Sequence, residues 1–288
     1  MKLQSVFLIV IISLYISCDT GVSNEYLQNV TVDSKGLSCD GIKVLTYADK
    51  TNRTEFSYHE SVFFLYDNMK GFTLKDSIAY PDMDLHVMTK SGDTLIALPN
   101  LFPTKQGFHQ NDLNLRTNVI FAKPMLPDNE YVVAVNVSDK NSDAYYHWKR
   151  SFSVINSPLI KTKKNGLNYG KQYLFSRKRN QAIVDNVIQF NETVYLVIED
   201  LDGITVDEYG NANVFASIRL TDANGMLINE NDNLFPNLVN AEHLQEQLYG
   251  TIRVTNKNFK NPITCTFQLA DVKNEKSLET TLEFTLIE

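Results

Sequence analysis

The chain has 288 residues, of which 43% are hydrophobic and 21% charged, and its 27 basic and 34 acidic residues give a net charge of −7. With 16 Phe and 14 Tyr it has ample apolar surface for folding, which excludes long-range disorder. Only 12 glycines and no sustained heptads exclude collagen-like and coiled-coil chains, and the acidic balance argues against a general nucleic-acid binder. The length suits one or two domains.

Residues 1–17 predict an export signal. Lys2 supplies the positive start, and residues 6–16 form an apolar run broken by Ser13 that is too short to span a bilayer. A buried N-terminal strand is the alternative interpretation.

The run ends in Leu14, Ile16, Ser17 and Cys18, and this pattern resembles the lipobox of exported bacterial lipoproteins. In that family a small residue precedes a cysteine that is acylated and becomes the mature N-terminus. The resemblance implies that Cys18 is a lipid anchor and that residues 18–28 tether the protein to a cell-envelope membrane, most simply the outer membrane on its periplasmic or surface face. The alternative is ordinary cleavage and a secreted protein.

Two further cysteines, Cys39 and Cys265, lie in opposite halves of the chain. So few thiols in an exported chain of this size do not form a disulfide framework. Two separate buried thiols are favoured over one long-range bridge.

An internal repeat is the most informative feature of the sequence. Residues 56–73 align with residues 188–205, roughly 130 positions later. Residues 100–103 recur in the same way as residues 233–236. The identities in the first match are Glu60, Val62, Gly71 and Thr73, which recur as Glu192, Val194, Gly203 and Thr205. The repeat predicts a duplication, with domains at residues 29–156 and 157–288.

Within each copy the apolar period is two, which is typical of half-buried strands. The predicted strands cover residues 62–66, 131–137, 194–198, 264–269 and 278–286, and turn-forming residues stand at 90–92, 127–129 and 223–225. Residues 240–249 predict a short helix with a counterpart at 112–115, both crossing between sheets. Each copy resembles the immunoglobulin-like sandwiches of exported bacterial lipoproteins. The expected fold is therefore all-β, with two tandem immunoglobulin-like antiparallel β-sandwich domains related by internal duplication.

Tyr145, His147 and Trp148 form an aromatic cluster late in the first copy, with Trp148 the one tryptophan of the sequence. Exposed aromatics stack on sugar rings or fill protein interfaces. The alternation gives Tyr146 and Trp148 the core-facing parity of Phe152, which favours packing. A ligand or partner surface stays open as the alternative.

Residues 160–184 contain seven basic and no acidic residues, a local positive patch in an acidic protein. A solvated hairpin is the favoured interpretation, and a surface for anionic glycans or lipid headgroups is the alternative. Residues 199–203 group Asp200 and Asp202 with Glu199, oxygen ligands of the kind that calcium accepts. An ordinary acidic turn is favoured there, because Lys70 replaces Asp202 in the first copy.

Catalytic motifs are missing from the sequence. There is no paired-histidine metal motif, nucleophile elbow, phosphate loop or dinucleotide fingerprint. We therefore expect no catalytic residue, metal or cofactor, and no nucleic-acid partner. The expected function is a membrane-anchored, non-enzymatic binding or scaffold lipoprotein whose protein or glycan partner is unknown. The alternatives are a glycan-binding accessory lipoprotein of a polysaccharide-uptake system and a glycosidase or peptidase without local motifs.

Overall fold

The computed structural model describes residues 26–102 and 107–288, and within these ranges the chain is nearly all β. Residues 1–17, Cys18, most of the predicted tether and Pro103 lie outside the described residues. Helical structure in the described part is confined to one 3-10 turn, Gln110–Asp112, and one short helix, α1 (Ala241–Glu246). No helix in these ranges has the length and apolarity that a membrane span requires. The all-β prediction is confirmed.

Strands follow one another closely along both halves of the chain. The first half forms β1 (Thr31–Lys35), β2 (Gly41–Leu45), β3 (Lys50–Thr51), β4 (Glu55–Ser57), β5 (Ser61–Asp67), β6 (Ile78–Ala79), β7 (Pro81–Thr89), β8 (Thr94–Leu98), β9 (Phe108–His109), β10 (Arg116–Ile120), β11 (Asn129–Asp139) and β12 (Tyr145–Ile155). The second half forms β13 (Ile160–Asn165), β14 (Lys171–Ser176), β15 (Gln181–Ala182), β16 (Val187–Gln189), β17 (Val194–Glu199), β18 (Asn211–Ala212), β19 (Val214–Thr221), β20 (Leu227–Asn231), β21 (Val239–Asn240), β22 (Gln247–Ile252), β23 (Ile263–Asp271) and β24 (Ser277–Ile287).

The two halves have the same strand orders. The large sheet of the first half runs β1-β12-β11-β7-β8 with β4 parallel to β12, and that of the second runs β13-β24-β23-β19-β20 with β16 parallel to β24. The smaller sheets run β10-β5-β2-β3 and β22-β17-β14-β15. Apart from β4 and β16, these strands pair antiparallel, so each half is a sandwich-like pair of antiparallel sheets.

Alternating side chains close a core between the two sheets of the first half. Phe64 of β5 lies 5.1 Å from Trp148 and 5.7 Å from Phe152 of β12, measured between ring centroids. Because β5 and β12 belong to different sheets, these contacts join the two layers. Burial of such rings is the main stabilising term of a sandwich.

The second half has its own apolar cluster, which includes Leu196, Phe267 and Phe284 from its two sheets. The cluster of the first half also takes in Tyr173 and Val197, which belong to the second half. The two cores are therefore separate, and the first one extends onto the outer face of the second half's smaller sheet.

In each half, a buried carboxylate accepts hydrogen bonds in the turn that precedes the central strand of the smaller sheet, β5 or β17. Glu60 accepts hydrogen bonds from the Arg53 guanidinium and from the Ser57 amide at 2.9 Å. Glu192 accepts from Arg179 at 2.9 Å and from the Gln189 amide at 2.8 Å. A buried charge of this kind persists only when it is paired and hydrogen-bonded.

The predicted strands are all observed. The short helix predicted within 240–249 is found at Ala241–Glu246, whereas residues 247–249 already belong to β22. The counterpart predicted at 112–115 is wrong in its bounds: the helical turn before β10 is the 3-10 turn Gln110–Asp112, and residues 113–115 have no regular secondary structure. Cys39 and Cys265 are free thiols, as favoured from the sequence. Burial raises the pKa of Cys39 to about 11 and that of Cys265 to about 12, so both are protonated at neutral pH.

Candidate functional site

Trp148 lies in the core of the first half and offers no ring to a ligand. Its side chain is 2% exposed, and its indole Nε1 donates a hydrogen bond to the Tyr66 hydroxyl at 2.9 Å. The proposed ligand surface around Trp148 is corrected accordingly: this position faces inward, as the alternation with Phe152 favoured.

Tyr145 and His147 lie on the opposite, outer face of β12. Both are half-buried, and their rings stack at 4.4 Å with an interplanar angle of 29°. Trp148 is not part of this ring pair, because it lies on the inner face of the same strand. Cys18, the predicted lipid anchor, lies outside the described residues.

The basic segment of residues 160–184 is partly neutralised by the second half itself. Lys171 is buried and lies 2.6 Å from Asp200 Oδ2 and 3.3 Å from Glu199 Oε2. Arg179 pairs with the buried Glu192. Two of the seven cations therefore stabilise the fold and do not contribute to an open positive surface.

The acidic turn at residues 199–203 already makes ion pairs and backbone hydrogen bonds within the second half. Asp200 and Glu199 share the ammonium of Lys171, and the backbone of Asp202 pairs with that of Asn168. Across residues 26–102 and 107–288, no three His, Cys, Asp or Glu side chains converge as a set of metal ligands.

A candidate site lies in a groove between the two halves, here called the junctional groove, which combines exposed rings with polar side chains. Its floor is the outer face of β14, β17 and β22. In this sheet Phe175 pairs directly with Tyr195, and Val197 pairs with Tyr173 on one side and Tyr249 on the other. Side chains alternate across a strand, so these five residues all point away from the second core.

Tyr195 and Tyr249 form the exposed aromatic end of the groove. Their rings meet edge to face at 5.3 Å with an interplanar angle of 71°, the geometry that aromatic pairs prefer. Tyr249 is 57% exposed, and Tyr195 and Phe175 are half-buried. Three strands thus present rings to solvent side by side.

His59 forms the wall that the first half contributes. It lies in the turn between β4 and β5 with a positive φ of 69°, which directs its ring across to the second half. The ring stacks on Tyr173 at 4.9 Å and meets Phe175 edge to face at 5.4 Å. Its Nδ1 is buried without a hydrogen-bond partner among the described residues. Burial lowers the pKa of His59, so the ring is neutral at pH 7.

The other end of the groove is polar. Glu199 accepts hydrogen bonds from the Tyr173 hydroxyl at 2.8 Å and from Gln247 Nε2 at 3.2 Å. Burial acts to lower the pKa of Lys171, but the hydrogen bond to Asp200 together with the charges of Asp200 and Glu199 and the nearby Tyr58 leaves that pKa raised. Burial, reinforced by the charge of Glu199, raises the pKa of Tyr58 beside them.

Helix α1 completes this polar end. It begins at Asn240, whose side chain accepts the backbone N–H of His243 as an N-cap. The helix places His243 and Glu246 on the groove opposite Lys123 of the first half. The aromatic and polar ends have volumes of about 400 and 620 Å³, and His59 and Gln247 line both.

Chemically, the junctional groove joins flat apolar rings to a compact set of hydrogen-bond donors and acceptors. Concave sites with this combination, in the range of about 300–1,000 Å³, bind small molecules and chain segments. Sequence reasoning missed it because its wall and floor come from different halves. The available signal was the alternation of Tyr173, Phe175 and Tyr195 on the parity opposite to the core.

The fold and the site define a nearly all-β, sandwich-like protein with an aromatic groove between its halves. No protein-family model matches the chain, and no curated protein matches it. Among solved structures, pT26-6p is 9% identical over 89% of this chain and 66% of its own, with a TM-score of 0.29. A calcium-binding mutant of Bacteroides uniformis β-glucuronidase 2 is 9% identical over 88% of this chain and 32% of its own, with a TM-score of 0.24.

The three N-terminal domains of the outer capsid protein Hoc of bacteriophage RB49 are similar at 12% identity, over 85% of this chain and 70% of theirs, with a TM-score of 0.21. Likenesses this weak carry no argument about the chain's function.

Proposed function

We propose that the chain consists of two tandem immunoglobulin-like sandwich domains that arose by duplication. The sequence repeat and the matching strand orders support this. Equivalent positions also hold equivalent contacts: the Asp139 carboxylate accepts the Thr73 amide at 2.8 Å, and the Asp271 carboxylate accepts the Thr205 amide at 2.7 Å. Duplicated domains explain why each half closes its own core.

The protein is, in this proposal, a non-enzymatic binding or scaffold lipoprotein of the bacterial cell envelope, tethered through Cys18. The export signal and the lipobox-like residues before Cys18 support the tether. Acyl chains contribute about 0.8 kcal/mol per buried methylene, so a multiply acylated cysteine holds a protein on the bilayer. The outer membrane is the expected location, and secretion is the rival.

The observation on which the binding role depends is the row of outward rings on three neighbouring strands, ending in the exposed Tyr249. Large exposed rings beside a polar rim mark interaction sites on soluble surfaces. The junctional groove is therefore the proposed contact surface of the protein.

The groove's carboxylates support a binding role over a glycosidase. Hydrolysis of a glycosidic bond usually needs one carboxyl that donates a proton and a second that acts as base or nucleophile. Glu199 and Asp200 instead both accept from the ammonium of Lys171, at 3.3 and 2.6 Å. Glu199 and Asp200 thus share one cation, so the Lys171 contacts do not set one of these two carboxylates apart as an acid and the other as a base.

Metabolic labelling with an acyl-chain probe tests the tether. Wild-type protein should take up the label and fractionate with membranes, whereas Cys18→Ala should lose the label and leave the membrane fraction. Cys39→Ala is the matched control, because this half-buried thiol has no role in the tether and labelling should persist. Unlabelled wild-type protein in the medium would contradict the proposal and favour secretion.

A further inference from the structure

We propose that the junctional groove binds a neutral oligosaccharide, with sugar rings stacked on Tyr195 and Tyr249 and sugar hydroxyls bonded at the polar end. This inference rests on the proposed binding function and names its ligand class. Each part of the groove supplies one of the contacts that such a ligand needs.

The aromatic end supplies flat apolar faces. A sugar ring has an apolar face of C–H groups, and tyrosine combines an apolar ring with a polar hydroxyl, so it suits a ligand that is amphipathic in the same way. Tyr249 is exposed, and its edge-to-face contact with Tyr195 fixes its orientation before any ligand arrives. Preorganised rings lose little conformational entropy on binding.

The polar end supplies acceptors and donors within reach of the rings. Gln247 is exposed and pairs across the strands with Glu199, and Gln247 lines both ends of the groove. Carboxylates accept from hydroxyls, while the amide both donates and accepts. Sugar hydroxyls do both as well, and so match this mixed set.

Charge narrows the ligand class. Lys123 and Lys171 face three carboxylates, those of Glu199, Asp200 and Glu246. Lys171 is already paired with two of them. The remaining balance is slightly negative, which disfavours uronic acids, sulfated sugars and phosphates and favours an uncharged ligand.

Size is consistent with more than one sugar ring. Tyr195 and Glu199 stand four residues apart on β17, a rise of about 13 Å along an extended strand. The two adjoining volumes, about 400 and 620 Å³ and both lined by His59 and Gln247, lie in the range of ordinary ligand sites. A single monosaccharide would leave one end of the groove unused, so an oligosaccharide is the expected form.

Binding to an array of immobilised oligosaccharides tests the inference. The full-length protein, purified in detergent, is applied to neutral gluco-, manno-, galacto- and xylo-oligosaccharides of four to six residues, to uronate and sulfated oligosaccharides, and to aromatic peptides. We expect a signal on at least one neutral series. Titration with the soluble form of that oligosaccharide then gives the affinity.

Two variants assign the binding to the groove. Tyr249→Ala should weaken binding about two- to thirteenfold, because a stacked aromatic contact contributes on the order of 0.5–1.5 kcal/mol. Tyr249→Phe keeps the ring and should stay within about twofold of wild type, since the hydroxyl adds little to a stacking contact. Gln247→Ala should weaken binding through the polar end, and its exposed side chain makes misfolding a minor concern.

Tyr47→Ala is a closely matched control in the first half. Tyr47 is 63% exposed and meets Phe63 edge to face at 5.4 Å, much as Tyr249 meets Tyr195, but it does not line the junctional groove. Its loss should leave binding unchanged. Equal losses in Tyr47→Ala and Tyr249→Ala would overturn the assignment to the groove.

The remaining outcomes are also decisive. Signals confined to anionic sugars or to peptides, or no signal on any neutral series, would overturn the ligand class. That failure is distinct from failure of the tether, which shows as wild-type protein without an acyl label. Cleaved oligosaccharide in the same incubation would contradict the non-enzymatic role, whereas intact ligand supports it.

Discussion

The outer faces of the two smaller sheets occupy equivalent places in the two halves but have opposite character. In the first half, Lys43 pairs with Leu65 and Leu65 with Arg116 across β2, β5 and β10. At the same register positions the second half has Tyr173, Val197 and Tyr249. Two charged side chains in one sheet are thus replaced by two tyrosines in the other.

The difference follows from what covers each face. Lys43 of the first half forms an ion pair with Asp67 at 2.8 Å, as expected for a surface in water. In the second half, Tyr173 is buried because His59 of the first half stacks on it. The same backbone position therefore serves a solvated face in one half and a contact and candidate binding face in the other.

The largest expected effect tests what the halves share, their buried carboxylates. Glu192→Gln removes the partner of Arg179 and should destabilise the second half by about 3–5 kcal/mol, since breaking a buried ion pair leaves a charge uncompensated. Glu60→Gln should destabilise the first half by less, because Arg53 is more exposed than Arg179.

Urea unfolding followed by two probes separates the halves. Trp148, the one tryptophan in the sequence, reports on the first core, whereas far-UV circular dichroism reports on both. Glu192→Gln should shift the dichroism transition and leave tryptophan fluorescence nearly in place, and Glu60→Gln should shift the fluorescence. Coincident shifts of both probes in both variants would contradict separate cores.

The next effect tests how the halves differ. Tyr173→Ala removes a buried ring that joins the halves and should lower the free energy of unfolding by about 3 kcal/mol. Lys43→Ala, at the equivalent register position, should cost about 1 kcal/mol or less, because the Lys43–Asp67 pair is partly open to water and such ion pairs stabilise little. Both costs are measured as shifts of the denaturant midpoint, with the slope of the unfolding free energy against denaturant concentration unchanged.

Tyr173→Phe is the control for this pair. It keeps the stack with His59 but loses the hydroxyl that donates to Glu199, so a cost of about 1 kcal/mol is expected. If Lys43→Ala lowers the free energy of unfolding as much as Tyr173→Ala does, the outer face of the first half's smaller sheet is not the solvated counterpart of the second half's contact face.

Local alternation explains why most of the strands were predictable. In β11, Tyr131, Val133, Val135 and Val137 are buried in strict alternation, and each is apolar, so the pattern indicates both strand and core face. The segment at residues 112–115 was mispredicted by analogy with α1. Helix α1 is capped by the Asn240 side chain, whereas His109, which precedes the 3-10 turn, makes no side-chain hydrogen bond to that turn.

The junctional groove was not predictable in the same way, because it depends on where one half meets the other. His59 stands within the sequence repeat, but its approach to Tyr173 depends on a turn with positive φ and on the placement of the halves. Trp148, by contrast, was correctly favoured as core by its parity with Phe152. The sequence shows that the groove's aromatic and polar residues are present, but it does not show that the fold brings them together.

The smallest expected effect concerns pH and the same junction. The pKa of His59 is lowered by burial from its ordinary value of about 6.5, even though the nearby Glu199 acts to raise it. The unfolded chain therefore takes up a proton at a higher pH than the folded chain does. Stability from the His59 stack is complete above about pH 7 and falls as the pH decreases through 6.5 toward the lowered folded value.

His59→Asn isolates this contribution, since asparagine tolerates a positive φ but cannot stack on Tyr173. The groove residues Glu199, Asp200 and Glu246 are the same in both proteins, so the two differ only in the side chain at position 59. The melting temperature of wild type should exceed that of the variant at pH 7.5, and the gap should narrow by about 1–2 °C at pH 5.5. A gap that widens toward low pH would mean that the charged imidazole is the stabilised form, with Glu199 outweighing burial at the junction.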